Sequence, residues 1–143
     1  MKKLLNCNWL SKFGAVAPLV LRISVGLIFA LHGWQKLTVM GVGGVEGMLN
    51  ALGFPMAGLL APLLIAAELV GGIFLIVGAF THWAAKILVV VSVVALVAVH
   101  LKNGFFLATG GFEFILLILA ATLSILITGP GKYSVDAKMH KHS

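Results

Sequence analysis

The chain predicts an all-α integral membrane protein, a bundle of four transmembrane helices with both termini cytoplasmic. Three observations lead there. Of the 143 residues, 61% are hydrophobic and only 10% charged, where a soluble domain carries roughly 25% charge. The apolar residues fall in blocks of about 18–20, which match a hydrocarbon core about 30 Å thick at about 1.5 Å rise per residue. Those blocks are continuous Leu, Val, Ile and Ala without strict alternation. That pattern excludes a barrel and leaves the helix as the way to satisfy every backbone group in lipid.

Residues 1–17 form a cytoplasmic or interfacial lead-in. Its opening Met1-Lys2-Lys3-Leu4-Leu5 imitates the start of a signal peptide, but Asn6 and Asn8 interrupt the apolar stretch at once. Cys7 is the single cysteine, so the chain offers no internal disulfide and no thiolate metal cluster. The first span covers 18–37, with Pro18 suited to a first helical turn. A polar, glycine-rich loop is expected from Thr38 to Pro55.

The second span covers 57–80, and its start is open. A start near Met56 puts Pro62 inside the helix; a start near Ala61 puts Pro62 in the first turn and makes Met56–Leu60 an interfacial piece. The third span covers 83–101. The fourth covers 112–128 and stops at Gly129-Pro130-Gly131, a strong helix terminator. Residues 18–136 thus form the four-helix domain, and 137–143 a polar tail. Trp9, Trp34 and Trp83 fall near the predicted interfaces, as an aromatic belt requires.

Charge fixes the orientation. The net charge of +6 sits at chain ends and block edges with no basic helix face, which argues against nucleic acid as a partner. With four spans, Lys2, Lys3, Lys12, Lys86, Lys132, Lys138 and Lys141 share one side, against Lys36 and Lys102 on the other. The positive-inside rule places the lysine-rich side, with both termini, in the cytoplasm. The protein is then multi-pass in the inner (plasma) membrane.

Ionisable groups inside spans cost about 2.5–3.5 kcal/mol each at mid-helix and mark candidate sites. At about 100° per residue, Arg22, Gly26, Phe29, Gly33 and Lys36 share one face of the first helix, with His32 at its edge. Ala61, Ile65, Glu68, Gly72 and Leu75 align on the second, and Lys86, Val89, Val93, Leu96 and His100 on the third. Glu113, Leu117, Ala120, Ser124 and Thr128 align on the fourth. By depth, His32, Lys36, Glu68, His100 and Glu113 converge toward the outer half of the bundle, a candidate small-molecule or proton-relay site. Arg22 and Lys86 lie near the inner end, where a long side chain can snorkel.

A purely structural account of the five also stands, with the two glutamates paired to Lys36 and the histidines to hold the bundle together. A metal held by His32, His100 and the glutamates is chemically conceivable, but the Glu-x-x-His spacing of di-iron bundles is missing. Bis-histidine haem has no supporting second histidine on either helix. His140 and His142 lie in the polar tail.

Four motifs in order resemble the DoxX family of small bacterial and archaeal membrane proteins. They are Gly26-Leu-Ile-Phe-Ala-Leu-His32-Gly33-Trp-Gln-Lys36-Leu, Glu68-Leu-Val-Gly71-Gly72-Ile-Phe-Leu-Ile-Val-Gly78, Gly110-Gly111-Phe-Glu113-Phe, and Gly129-Pro130-Gly131-Lys-Tyr-Ser134-Val-Asp136. The resemblance implies a four-helix membrane fold and, through some relatives, association with redox systems that include a thiosulfate–quinone oxidoreductase. It implies an inner-membrane protein acting as a non-autonomous subunit or accessory of an oxidoreductase, with a polar cavity for a quinone or another small molecule. The chain carries no redox centre of its own, so a membrane or soluble oxidoreductase partner, or a bound cofactor, would carry the electrons. Self-association is compatible with this. The alternative is a non-catalytic scaffold or small-solute carrier.

Overall fold

The computed structural model describes residues 13–139. Cys7, Trp9, the tail histidines and Lys2, Lys3, Lys12 and Lys141 lie outside them. The described chain is helical with no strand. Helix α1 spans Ala17–Gln35, α2 Gly41–Ala51, α3 Ala57–Val77, α4 Thr81–Ala95, α5 Glu113–Thr128, and a short α6 Val135–Met139. Three stretches, Gly14–Ala51, Ala57–Val77 and Thr81–Asn103, are long and apolar enough to cross a membrane. Helix α5, of 16 residues, is shorter, about 24 Å at 1.5 Å per residue.

The segment from Thr38 to Pro55 corrects the expected loop. A π turn over Lys36–Met40 runs directly into α2. As a straight rod Gly14–Ala51 would measure about 57 Å, nearly twice the hydrocarbon core. Gly41, at φ +68° and ψ 166°, breaks the axis and lets α2 fold back. Val45 and Leu49 then bury against Ala57, Ala61 and Ile65 of α3. Glycine at 41, 43, 44 and 47 disfavours helix by about 1 kcal/mol per residue relative to alanine, so tertiary packing of that apolar stripe sustains α2. The start of α3 is also resolved: it begins at Ala57, and Pro62 lies inside it on the exposed side.

Helices α1 and α3 form the closest pair. A Cβ added to Gly72 would lie 2.6 Å from the Gly26 carbonyl oxygen, and one on Gly33 would lie 2.5 Å from the Leu69 backbone nitrogen. Only hydrogen fits at these crossings, and the small residues let the backbones touch. Around this pair the main core gathers Val25 and Phe29 of α1, Leu75 of α3, Leu88 of α4, and Ile118 and Ile125 of α5.

The faces expected on α1 and α3 match the buried ones, but those on α4 and α5 do not. On α4 the buried residues are Thr81, Ala84, Ala85, Leu88 and Ser92, whereas Lys86 is exposed, its Nζ 4.6 Å from the Trp83 ring centroid. On α5 they are Ile118, Thr122 and Ile125, whereas Leu117 and Ala120 are exposed. Hydroxyls do not fix a face here, because each can bond its own helix. Thr122 Oγ1 donates to the Ile118 carbonyl and the exposed Thr128 Oγ1 to the Ser124 carbonyl, both at 2.7 Å.

At the end of the bundle that holds both described termini, Arg22 is wholly buried, so snorkelling is excluded for it. Its Nη1 donates to the carbonyls of Leu75 at 2.7 Å and Ile76 at 3.1 Å, and its Nη2 to that of Tyr133 at 2.6 Å. Leu75 and Ile76 are in the last turn of α3, where unsatisfied carbonyls and the negative dipole end favour a cation. Gly78 closes that helix at φ +70°, and any Cβ there would strike the Arg22 guanidinium. Asp136 comes from beyond α5 to cap α4, accepting from Phe80 N at 2.8 Å and Thr81 N at 2.9 Å.

Candidate functional site

At the opposite end, α1 and α3 run antiparallel from their glycine contact. Lys36, one turn beyond Gly33, therefore stands opposite Glu68, one turn before Gly72. Lys36 Nζ and Glu68 Oε2 are 2.5 Å apart, with side chains 19% and 8% exposed. Their surroundings are apolar, so each charge depends on the other for most of its stabilisation.

His100 reaches the same place by a different device. On an uninterrupted α4 it would sit about 80° around the axis from the buried Ser92. A π turn over Leu96–His100 widens the last turn and holds His100 back by most of one residue step. That brings it into line with Ser92. Its Nδ1 lies 2.8 Å from the Gly110 carbonyl oxygen. A carbonyl only accepts, so Nδ1 carries the proton and Nε2 is the ring nitrogen left to meet another partner.

Two cavities flank these groups. One, of about 440 Å³, lies between α2, α3 and α4 with an almost wholly apolar wall. The other, of about 460 Å³, lies between α1, α4 and α5 and includes His32, Ser92 and Phe114. Lys36, Glu68 and His100 line both, as do Val91 and Ala95. Their volumes fall within the roughly 300–1,000 Å³ of small-molecule sites.

Four of the five residues singled out in the sequence thus meet at the cavities. His32 is the most peripheral, exposed at the rim of the second. Glu113 lines neither: its Oε1 accepts from Leu107 N at 2.6 Å, which fixes the loop that carries Leu107 into the second cavity wall. Among the described residues, no three His, Cys, Asp or Glu side chains cluster closely enough to hold a metal ion.

Sequence reasoning missed the clasp of Arg22, Ser134 and Asp136. Its signal was present, since Arg22 is the single arginine and Asp136 the single aspartate of the chain, and a mid-helix arginine demands acceptors. Ser134 is buried there, donating to the Gly131 carbonyl at 2.7 Å and accepting from Ala137 N at 3.1 Å.

Comparison with known proteins places this geometry in a family. The chain is 32% identical over 134 residues to the inner membrane protein YqjF of Escherichia coli (strain K12), covering 92% of this chain and 98% of that protein. It is 35% identical over 139 residues to an uncharacterized protein of Haemophilus influenzae, covering 94% and 98%. It is 27% identical over 132 residues to a Bacillus subtilis (strain 168) protein named "Putative oxidoreductase CatD", covering 92% and 93%. No solved structure matches the chain. The DoxX family model matches residues 17–101, the stretch that carries α1 to α4 and the Lys36–Glu68–His100 group. With its several apolar helices, this chain is a multi-pass membrane protein and belongs to the DoxX family.

Proposed function

We propose that the protein is a membrane subunit or accessory of an oxidoreductase system, and that its paired cavities bind a quinone-like small molecule. The observation that carries this reading is the Lys36–Glu68–His100 group on the wall common to both cavities. A lysine Nζ with donors to spare and a histidine Nε2 left to meet another group are the partners that a quinone carbonyl and a quinol hydroxyl require. Glu68 holds and aims Lys36; Glu113 positions the loop; His32 at the rim connects the second cavity to the surface. The Bacillus relative's name points to the same class of chemistry. The chain supplies the site and its protons, and electrons come from a partner protein.

In this reading α5 makes a fourth crossing and both termini are cytoplasmic. The lysine distribution supports it, because Lys86, Lys132 and Lys138 lie at the end holding the described termini, and Lys36 and Lys102 at the other. The test is purification in mild detergent, solvent extraction and mass spectrometry. Near-stoichiometric quinone in the wild type, lost from His100→Leu and from a folded Lys36→Met/Glu68→Leu double variant, is the expected result. Quinone absent from the wild type, and no quinone binding when it is added back, overturns the proposal. Solute flux into empty proteoliposomes in that case would make the protein a carrier.

A further inference from the structure

The two cavities differ in what they open onto. On the first, the lining includes Leu63 at 55%, Val90 at 62% and Val94 at 42% exposure. Those residues stand on the outward faces of α3 and α4, within two of the three stretches long and apolar enough to span a membrane. An opening between them faces acyl chains, where a water-borne solute does not arrive. The rest of its wall is apolar, mostly leucine, valine and alanine with Met48 and Phe54, apart from Lys36, Glu68 and His100. The second cavity begins at that same polar wall and carries the added polar groups of His32 and Ser92.

We infer that the ligand is an amphiphile drawn laterally from the bilayer, with its hydrocarbon chain in the cavity between α3 and α4 and its ring head against Lys36 and His100. This rests on the reading above and goes beyond it by assigning the lipid-facing cavity to the chain. A ring alone would leave that cavity without an occupant. A chain alone would leave the spare Lys36 donors and the His100 Nε2, beyond their bonds to Glu68 and Gly110, facing hydrocarbon. A molecule with both parts satisfies both walls at once. The head needs an acceptor for Lys36 Nζ and a donor for His100 Nε2, which a quinone–quinol couple supplies in its two states.

The test compares two probes in one detergent: a methyl-substituted benzoquinone, and the same ring bearing a decyl chain. Ala67 and Ala98 line the first cavity only, and Ile115 lines the second only. Ala98→Trp fills the chain cavity and is expected to weaken the decyl probe at least tenfold while leaving the tail-less probe within twofold. Using the ratio of the two probes cancels their different partitioning into micelles. Ala67→Phe gives the same result if Ala98→Trp does not fold. The inference is overturned if both probes weaken equally, or if neither does. It is also overturned if the selective loss appears with Ile115→Trp instead, which would put the chain in the other cavity. Wild-type protein that binds neither probe overturns the proposed function itself, and the inference with it.

Discussion

Removing one member of the Lys36–Glu68 pair should cost far more than removing both. At 2.5 Å and an effective dielectric of about 20, the Coulomb attraction is about 7 kcal/mol. Desolvation of two ions consumes several kcal/mol each, so the net contribution of the pair is close to nil. Glu68→Gln removes the attraction and leaves Lys36 desolvated. Breaking a buried pair costs about 3–5 kcal/mol, and a lone charge in a span about 2.5–3.5; the two ranges meet near 3. That is on the order of a hundredfold in the folded ratio at 1.4 kcal/mol per decade. The assay is the loss of monodisperse protein with temperature in a fixed detergent, with Lys36→Met, Glu68→Leu and their combination beside the wild type. Each single change should lower the midpoint markedly, and the double should recover most of it. If Glu68→Leu alone has wild-type stability, the charges are screened by water in the cavities and the reasoning fails.

Three further outcomes follow from other parts of the fold. Arg22→Met leaves the carbonyls of Leu75, Ile76 and Tyr133 without their donor and should destabilise by about 3 kcal/mol; Arg22→Lys, which cannot fork, should recover only part, read by the same thermal assay. Gly72→Ala forces a Cβ to 2.6 Å from the Gly26 carbonyl and should cost about 1–3 kcal/mol; an unchanged melting profile would mean that α1 and α3 separate at no cost. A reporter active only outside the cytoplasm, fused after Ser143, should be silent, and strong activity would invert the proposed orientation.

The sequence exposed the faces of α1 and α3 because glycine marked them. Gly26, Gly33 and Gly72 are spaced at helical intervals beside Arg22, Lys36 and Glu68, so shape and charge gave the same direction. On α4 the polar markers Lys86 and His100 were joined by a straight helical extrapolation, and the π turn at Leu96–His100 breaks it. A widened turn has no compositional mark in Leu-Val-Ala-Val-His. On α5 most residues are apolar, and the buried Thr122 and exposed Thr128 both bond their own helix, so hydroxyl position carried no information about the inward side. Helix α2 was obscured by its own glycines, whose propensity argues against the helix that Val45 and Leu49 enforce by packing. The clasp was obscured by distance, since Arg22 and Asp136 lie 114 positions apart in the chain.

The two cations at opposite ends of the bundle differ in the space around them. Arg22 Nη1 and Nη2 reach three backbone carbonyls, and the space beside its guanidinium is filled by Gly78 and Ser134. Arginine there closes one end of the bundle; its buried Nε makes no hydrogen bond, and it lines neither of the two cavities. Lys36 has three donors and uses one on Glu68, and both cavities open beside it. Among the described residues Glu68 is the hydrogen-bond partner found for its Nζ. A lysine paired with one carboxylate, with unused donors in an apolar enclosure, is poorly designed for holding helices together, because a methionine–leucine pair would pack as well without the desolvation cost. It is well suited to meeting an acceptor that arrives and leaves. The same reasoning covers His100, whose Nδ1 is tied to Gly110 while Nε2 is left for another partner. Spare donors beside open space, rather than buried charge as such, are what the proposed function draws on at this end of the bundle.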